Sequence, residues 1–358
     1  MIFNKNIGIT DTLLFVSIII ISLFGLILLY SATNQDIDVV FRQGTRLIFC
    51  FILMLLVSTI DINRIKLISP YIYIVCLILL IVTLFWGHES KGAKRWILIF
   101  GFSLQASEIL KLILPMTLAW LLSLAEDQEF DFKKLFLSFV IIALPIVFII
   151  KQPDLGTSLI ILLCGLISIF LGGIKKSHII YLLGLFMIII PIMWKFLLLP
   201  YQKRRILTMV DPSIDPLGSG YHIIQSKIAV GSGGFFGKGF LNGTQSQLEF
   251  LPERGTDFIF AVFAEEFGFF GIMILFLFYL VIILRCINIT SKSRTYYSKL
   301  LSGSITSVFI LLIITNISMA VGLLPVVGVT LPLLSLGGSS LLAMFLSFGV
   351  MFSINRRV

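Results

Sequence analysis

One acidic residue of the sequence stands where a polar segment meets a long apolar run. Asp257 follows the polar residues 253–256 and directly precedes the apolar stretch 258–284. A helix that begins there stabilises the carboxylate through its N-terminal dipole, whereas the apolar edge disfavours the charge. Such a carboxylate either caps the helix or acts as a general base on a hydroxyl within hydrogen-bond reach.

Basic residues in the neighbouring polar segments have the chemistry that binds phosphate. Guanidinium and ammonium groups pair well with phosphate oxygens. The candidates are Lys94, Arg95, Lys203, Arg204 and Arg254. Together with Asp257 they predict a site that accepts a diphosphate.

Other polar residues interrupt or border apolar runs, where each is costly unless it is paired or hydrated. Glu108 and Lys111 share one helical face, so they form either an internal ion pair or one wall of a cavity for a polar head group. Asp154 stands at an expected helix start, where Asp acts as an N-cap. The side chains of the adjacent Glu265 and Glu266 point about 100° apart on a helix and cannot serve one small site equally.

These residues must be positioned by helices that cross a membrane. The chain has 358 residues, of which 58% are hydrophobic and 13% charged, and its mean hydropathy is +1.08. Soluble domains carry about 25% charged residues, so a soluble enzyme, a disordered protein and a coiled coil are excluded. The apolar runs are too long and uniform for barrel strands, which predicts an all-α, polytopic membrane protein. About ten spans are expected, at 12–32, 46–60, 68–86, 106–125, 135–150, 156–173, 178–194, 258–284, 300–320 and 330–353.

The distribution of Lys and Arg predicts that both termini are cytoplasmic. Thirteen of these residues lie on the N-terminal side of the predicted spans, against six in the short loops opposite. Since basic loops stay inside, the segment 87–105 and one large loop at about 195–257 face outward.

The net charge of +9 is explained by residues that flank spans and meet anionic lipid, so nucleic acid is not an expected partner. An external site has no nucleotide-activated sugar available, and its substrate must carry its own activation.

Other kinds of site find little support in the sequence. No GxxxxGK[ST] phosphate loop is present, and the glycines at 231–239 open no βαβ unit, so they indicate turns or close backbone approach. Cys50, Cys76, Cys164 and Cys286 lack metal-ligand spacing, which favours small core side chains. No cofactor is evident, although a divalent cation that bridges diphosphate oxygens is compatible with this chemistry.

Several stretches of the sequence resemble the SEDS family of shape, elongation, division and sporulation proteins. They are KGAKRWI at 91–97, KQPDLGT at 151–157, GTQSQLEFLPER at 243–254, TDFIFAV at 256–262, LPLLS at 331–335 and GGSS at 337–340. The run at 243–247 is more similar to the elongation members than to the division members. Two residues depart from the family pattern, because Gly255 stands in place of the usual His and Leu336 in place of the usual Tyr.

The resemblance implies a single transmembrane domain over residues 1–358 that polymerises lipid II into glycan strands during cell elongation and rod-shape maintenance. The expected place is the outer face of the bacterial cytoplasmic (inner) membrane, and the expected partners are a class B penicillin-binding protein and other elongation-complex membrane proteins. By motif, Asp257 matches the family's essential external aspartate, the proposed catalytic base. The family uses the segments of six further residues for substrate binding or fold integrity, namely Lys94, Arg95, Glu108, Lys111, Asp154 and Arg204.

The expected reaction is a single displacement that inverts an α-linked donor to a β-linked product. Asp257 takes the proton of the acceptor hydroxyl, and one base suffices, in contrast to the two carboxylates of a glycoside hydrolase. Two alternatives stay open. The charges at 108, 111, 265 and 266 are compatible with a lipid II flippase, and the chain is also compatible with a structural scaffold for a penicillin-binding protein.

Overall fold

The computed structural model describes residues 11–90, 93–99, 102–124, 132–174, 184, 187–188, 191–215, 218–248, 250–251 and 253–357. The helices are α1 (Thr12–Ala32), α2 (Ile37–Thr59), α3 (Ile62–Trp86), α4 (Ala106–Leu122), α5 (Phe132–Lys151), α6 (Leu155–Leu171), α7 (Pro200–Val210), α8 (Ser219–Ser232), α9 (Thr244–Gln247), α10 (Ile259–Lys292), α11 (Tyr296–Ala320) and α12 (Gly338–Asn355). The strands are β1 (His88–Ser90), β2 (Ala93–Ile99) and β3 (Phe102–Leu104).

The helices confirm the predicted class of fold and correct the bounds of four predicted spans. The third begins at Ile62 instead of 68, and the eighth ends at Lys292 instead of 284. Within the described ranges, 7 helices are long and apolar enough to cross a membrane. The second span begins at Ile37 instead of 46, because a polar first part continues the helix beyond the apolar run. The last begins at Gly338 instead of 330, because Pro332 and the glycines of this stretch break the helix although its composition is apolar. The predicted span 178–194 lies mostly outside the described residues.

The core lies around α4, α11 and α12. α12 packs on α2 and α4, α11 packs on α4, α6 and α10, and α1 packs on α10. Phe345, Phe348 and Phe352 of α12 are almost completely buried. The outer helices α2, α3, α5 and α10 instead expose many large apolar side chains, as helices in contact with lipid do.

A small sheet occupies the segment between α3 and α4, where the sequence predicts only a loop. Its strands are antiparallel in the order β1-β2-β3, with Glu89 opposite Lys94 and Leu98 opposite Ser103. β2 contacts α3, and β3 contacts α12. Since side chains alternate along a strand, Lys94 and its neighbour Arg95 point to opposite faces of β2.

α10 is broken at Gly268, which has φ 63° and ψ −165°. Its backbone bonds are completed by the glycine-rich loop that follows α8. Phe269 N donates to Gly234 O at 3.0 Å, and Phe270 N donates to Phe235 O at 2.9 Å. The break divides α10 into a short buried segment, 259–267, and a longer outer one, 269–292.

The same loop also bonds the carbonyls on the other side of the break. Lys238 N donates to Glu265 O, and Gly239 N donates to Glu266 O, both at 3.0 Å. Gly237 has φ 79°, and a Cβ on it would lie 2.1 Å from Glu266 O. These contacts confirm that the glycines of this loop serve close backbone approach.

Gly268→Ala is expected to destabilise the protein. Its backbone conformation is one that essentially only Gly adopts, which costs about 1–3 kcal/mol for other residues, and its Cβ would lie 2.3 Å from Gly237 N. The matched control is Gly44→Ala on α2, where a Cβ meets nothing within 4 Å and should stabilise the helix by about 0.5–1 kcal/mol. Thermal unfolding in detergent measures both variants, and a Gly268→Ala melting temperature at or above the wild-type value would contradict the account of the break.

Candidate active site

A cavity of about 260 Å³ lies at the end of the bundle that carries the small sheet. Its walls come from β2, the first turns of α4 and α6, the turn before α10 and the irregular segment before α12. Among its lining residues are Arg95, Glu108, Asp154 and Asp257. The structure thus brings together four of the eight predicted site residues, and a fifth, Lys111, contacts Glu108.

Four helices begin at or beside this cavity. The lining residues Gln105, Asp154 and Gly337 are the N-caps of α4, α6 and α12, and α10 begins two residues after Asp257. The backbone N–H groups and dipoles of helix N-termini favour negative charge. The backbone therefore supplies positive potential to a cavity whose lining side chains include more carboxylates than cations.

The turn that carries Asp257 is fixed by two polar side chains from other elements. Asn316 Nδ2 donates to Asp257 O at 2.9 Å and to Val329 O at 2.6 Å. Ser335 Oγ donates to Thr256 O at 2.8 Å. These bonds set the main chain of the turn, and Asp257 lines the cavity.

Asn316 and Ser335 are not among the residues that the sequence predicts for the site. Asn316 is 0% exposed within the apolar helix α11. A buried amide in an apolar span is costly unless it is hydrogen-bonded, and that signal was present in the sequence. Ser335 ends the stretch LPLLS that resembles the SEDS family, but its residue type alone does not indicate this role, because a single Ser in an apolar stretch satisfies itself in many ways.

The two departures from the family pattern contact each other. Leu336 N donates to Gly255 O at 2.8 Å. A Cβ on Gly255 would lie 4.0 Å from Leu336 Cβ and 3.2 Å from Leu29 Cδ1. A larger side chain at 255 therefore competes for space with Leu29 and Leu336, directly beside the turn of Asp257.

Glu108 and Lys111 form the predicted ion pair on one face of α4. Lys111 Nζ lies 2.6 Å from Glu108 Oε1, and the Lys111 side chain is 3% exposed. Glu108 also lines the cavity. Removal of either partner would leave a buried charge without its counter-ion, which is strongly destabilising.

Arg95 and Asp154 shape the turn between α5 and α6. Arg95 donates to the carbonyls of Gln152 (Nε, 3.2 Å) and Pro153 (Nη2, 2.6 Å), and its Nη1 lies 3.7 Å from Asp154 Oδ2. Asp154 Oδ1 accepts a bond from Thr157 N at 3.2 Å, which confirms the predicted N-cap of α6. Both residues thus have structural bonds as well as a place in the cavity wall.

The other predicted cations do not line the cavity. Lys94 is exposed on β2. Arg204 Nη2 lies 3.0 Å from Asp215 Oδ1, and Arg254 Nη1 donates to Ser246 O. Across the described part of the chain, no group of three or more His, Cys, Asp or Glu side chains is arranged to hold a metal ion.

Comparison with known proteins identifies the family. The family model for FtsW, RodA and SpoVE, described as cell cycle protein, matches residues 7–358. The chain belongs to the FtsW/RodA/SpoVE family. Membership confirms the resemblance to the SEDS proteins.

Relatives of the FtsW/RodA/SpoVE family match almost the whole chain. The chain is 40% identical to peptidoglycan glycosyltransferase MrdB of Escherichia coli (strain K12) over 345 residues. This match covers 96% of the chain and 93% of that protein. It is 31% identical to peptidoglycan glycosyltransferase RodA of Treponema pallidum (strain Nichols), over 97% of this chain and 98% of that protein.

Solved structures of the family share this fold. One belongs to a peptidoglycan synthase complex that coordinates polymerization and crosslinking, with a TM-score of 0.83, 29% identity and 97% coverage of both chains. Another is the crystal structure of the rod shape determining protein RodA of Thermus thermophilus, with a TM-score of 0.73 and 26% identity over 97% of this chain and 96% of that one.

Arg95→Met is expected to destabilise the turn between α5 and α6. Two carbonyls and one carboxylate lose a charged donor. A shielded hydrogen bond to a charged group contributes about 1.5–3 kcal/mol to stability. Because the Arg95 side chain is 33% exposed, we expect the free energy of unfolding to fall by a total of about 1–2 kcal/mol. The matched control is Lys94→Met, which changes the exposed neighbour on the opposite face of β2 and should stay within about 0.5 kcal/mol of the wild type. Equal unfolding temperatures for the two variants would show that Arg95 does not support the fold.

Proposed function

We propose that Asp257 is the general base with which this peptidoglycan glycosyltransferase joins lipid II units into glycan strands. The proposal is carried by one observation: the motif carboxylate lies in the wall of a cavity at which four helix N-termini meet. The names of the MrdB and RodA relatives support the class of activity.

The reaction needs one proton acceptor. The acceptor sugar hydroxyl gives its proton to the Asp257 carboxylate while its oxygen bonds to the anomeric carbon of the donor. The bond from that carbon to the lipid diphosphate breaks, and the electron pair leaves with the diphosphate. This displacement inverts the anomeric centre, and general-base assistance contributes roughly 10²–10⁴ in rate.

The diphosphate must be neutralised in a cavity with few uncompensated cations. Arg95 faces Asp154, and Lys111 faces Glu108, so both basic groups already have acidic partners. We propose that the helix N-termini supply part of the positive potential. A divalent cation that enters with the diphosphate would supply the remainder.

The environment and partners of the enzyme follow the same proposal. The chain is a multi-pass membrane protein, and we place it in the bacterial cytoplasmic (inner) membrane, with both termini in the cytoplasm and the cavity facing outward. The count of basic residues supports this orientation. We also propose a class B penicillin-binding protein and other elongation-complex proteins as partners, since a structural relative belongs to a peptidoglycan synthase complex.

Asp257→Asn is expected to lower polymerisation of purified lipid II by at least about 10²-fold, because the amide cannot accept the proton. The matched control is Asp211→Asn, which changes an exposed carboxylate of the 195–257 segment. Glycan products are separated by gel electrophoresis after both variants show wild-type thermal unfolding. Undiminished polymerisation by folded Asp257→Asn would refute the base, and wild-type growth on that variant would favour the scaffold alternative.

Cysteine labelling tests the orientation. The four native cysteines are all buried, as predicted for core side chains, so they should give little background. Ser213 lies between α7 and α8, and Ser291 lies at the end of α10, and both are exposed. A membrane-impermeant maleimide should label Ser213→Cys in spheroplasts and label Ser291→Cys only after permeabilisation. The reverse pattern would invert the topology.

A further inference from the structure

Glu265 is a completely buried carboxylate that the reaction described above does not use. It is 0% exposed and lies on the short first segment of α10, eight residues after Asp257. Despite this burial, its carboxylate accepts hydrogen bonds from the loop at 238–246, which precedes the turn of Asp257. Its donors are Lys238 Nζ at 2.7 Å, Thr244 Oγ1 at 3.1 Å, Gln245 N at 3.0 Å and Ser246 N at 3.2 Å.

These bonds explain why α9 forms at all. A helix of four residues, Thr244–Gln247, is too short to be stable alone. Its first residues direct their N–H groups to the Glu265 carboxylate, which satisfies donors that have no partner within the helix. Bonds from charged or polarised donors to a buried carboxylate are strong. Glu265 therefore determines where α9 lies.

α9 is connected in turn to the turn that carries Asp257. Arg254 Nη1 donates to Ser246 O, and Arg254 is three residues before Asp257. Thr256 N donates to Glu253 O at 3.1 Å, so this part of the chain is a closed turn. Because Arg254 bonds to α9, a displacement of α9 also moves the turn that carries Asp257.

A second connection joins α9 to α1. Gln247 Nε2 donates to Ser31 Oγ at 3.2 Å, and Ser31 Oγ donates to Glu266 Oε1. The adjacent carboxylates of α10 thus hold different partners, Glu265 the loop and Glu266 the end of α1. This agrees with the expectation that neighbouring side chains on one helix cannot serve the same small site.

We propose that Glu265 is a positioning residue for the transfer reaction, which acts by fixing α9 and, through Arg254, the turn of Asp257. The proposal rests on the role of Asp257 as the base. Glu265→Gln keeps the size of the side chain but replaces one acceptor oxygen by an NH₂ group, which faces N–H donors. α9 then loses part of its anchor. Since misplacement of a reacting group by about 1 Å costs up to roughly 10²-fold in rate, we expect kcat to fall about 10- to 100-fold while KM changes little.

The test compares Glu265→Gln with Asp11→Asn in the full-length protein. Asp11 is also buried and ion-paired, with Arg285 Nη2 at 2.7 Å, at the opposite end of α1 and α10. Both variants lose a buried pair and should lower the unfolding temperature. Only Glu265→Gln should lower kcat for lipid II polymerisation and raise hydrogen–deuterium exchange in residues 244–258. An equal loss of kcat in both variants, or unchanged exchange in that segment, would overturn the proposal.

Further variants separate this proposal from the role of the base. If Asp257→Asn polymerises normally, the base assignment fails whatever Glu265 does. If Asp257→Asn is inactive and Glu265→Gln keeps the wild-type kcat, the proposal about Glu265 is refuted while the base assignment stands. Should Glu265→Gln not fold, Lys238→Met removes the charged donor to Glu265 and its second bond, to Thr244 Oγ1 at 2.7 Å, and keeps the carboxylate. It should give a smaller fall in kcat at constant KM. An unchanged kcat for folded Lys238→Met would then refute the proposal.

Discussion

The structure depends on one constraint: a backbone N–H or C=O group that lies at membrane depth must find its hydrogen-bond partner within the protein. Helices satisfy this locally, but the chain leaves helical geometry at Gly268 and in the segment 321–337. At the first place a loop rich in glycine completes the bonds, and at the second Asn316 and Ser335 do so. The second place borders the turn of Asp257, because Ser335 Oγ donates to Thr256 O and Leu336 N donates to Gly255 O. Irregular backbone therefore lies where protein covers it or where it lines the cavity.

The scarcity of charge gives each buried ionic group a definite structural consequence. Asp11 with Arg285 joins the start of α1 to α10, Lys111 with Glu108 lies on one face of α4, and Glu265 holds the loop before the site. A buried pair contributes less than its Coulomb energy suggests, because desolvation offsets it, but loss of one partner is costly. The electrostatics of the cavity therefore combine residual side-chain charge with the fixed dipoles of the helices that begin there.

The sequence predicts the elements better than it predicts their mutual contacts. Long apolar runs identify α1, α3, α5 and α11 because a helix is the only structure that satisfies such backbone in lipid. The same composition predicts too early a start for α12. Residues 331–335 are mostly apolar because they are buried, not because they are helical. The ion pair on α4 and the N-cap of α6 are local and were predictable. The partners of Arg204 and Arg254 depend on how a long loop folds back, which the spacing of charges does not encode.

Gly255 and Leu336 show how such tertiary contact changes the meaning of a sequence difference. Their side-chain positions adjoin, and a backbone bond joins them, so they occupy one shared volume beside the base. Two large polar residues, the usual His and Tyr of the family, would fill that volume together, whereas a glycine and a leucine fill it here. The two positions are therefore expected to co-evolve. A sequence comparison that treats the two substitutions as independent counts a single change in packing twice. It therefore overstates how far this enzyme has diverged from its relatives.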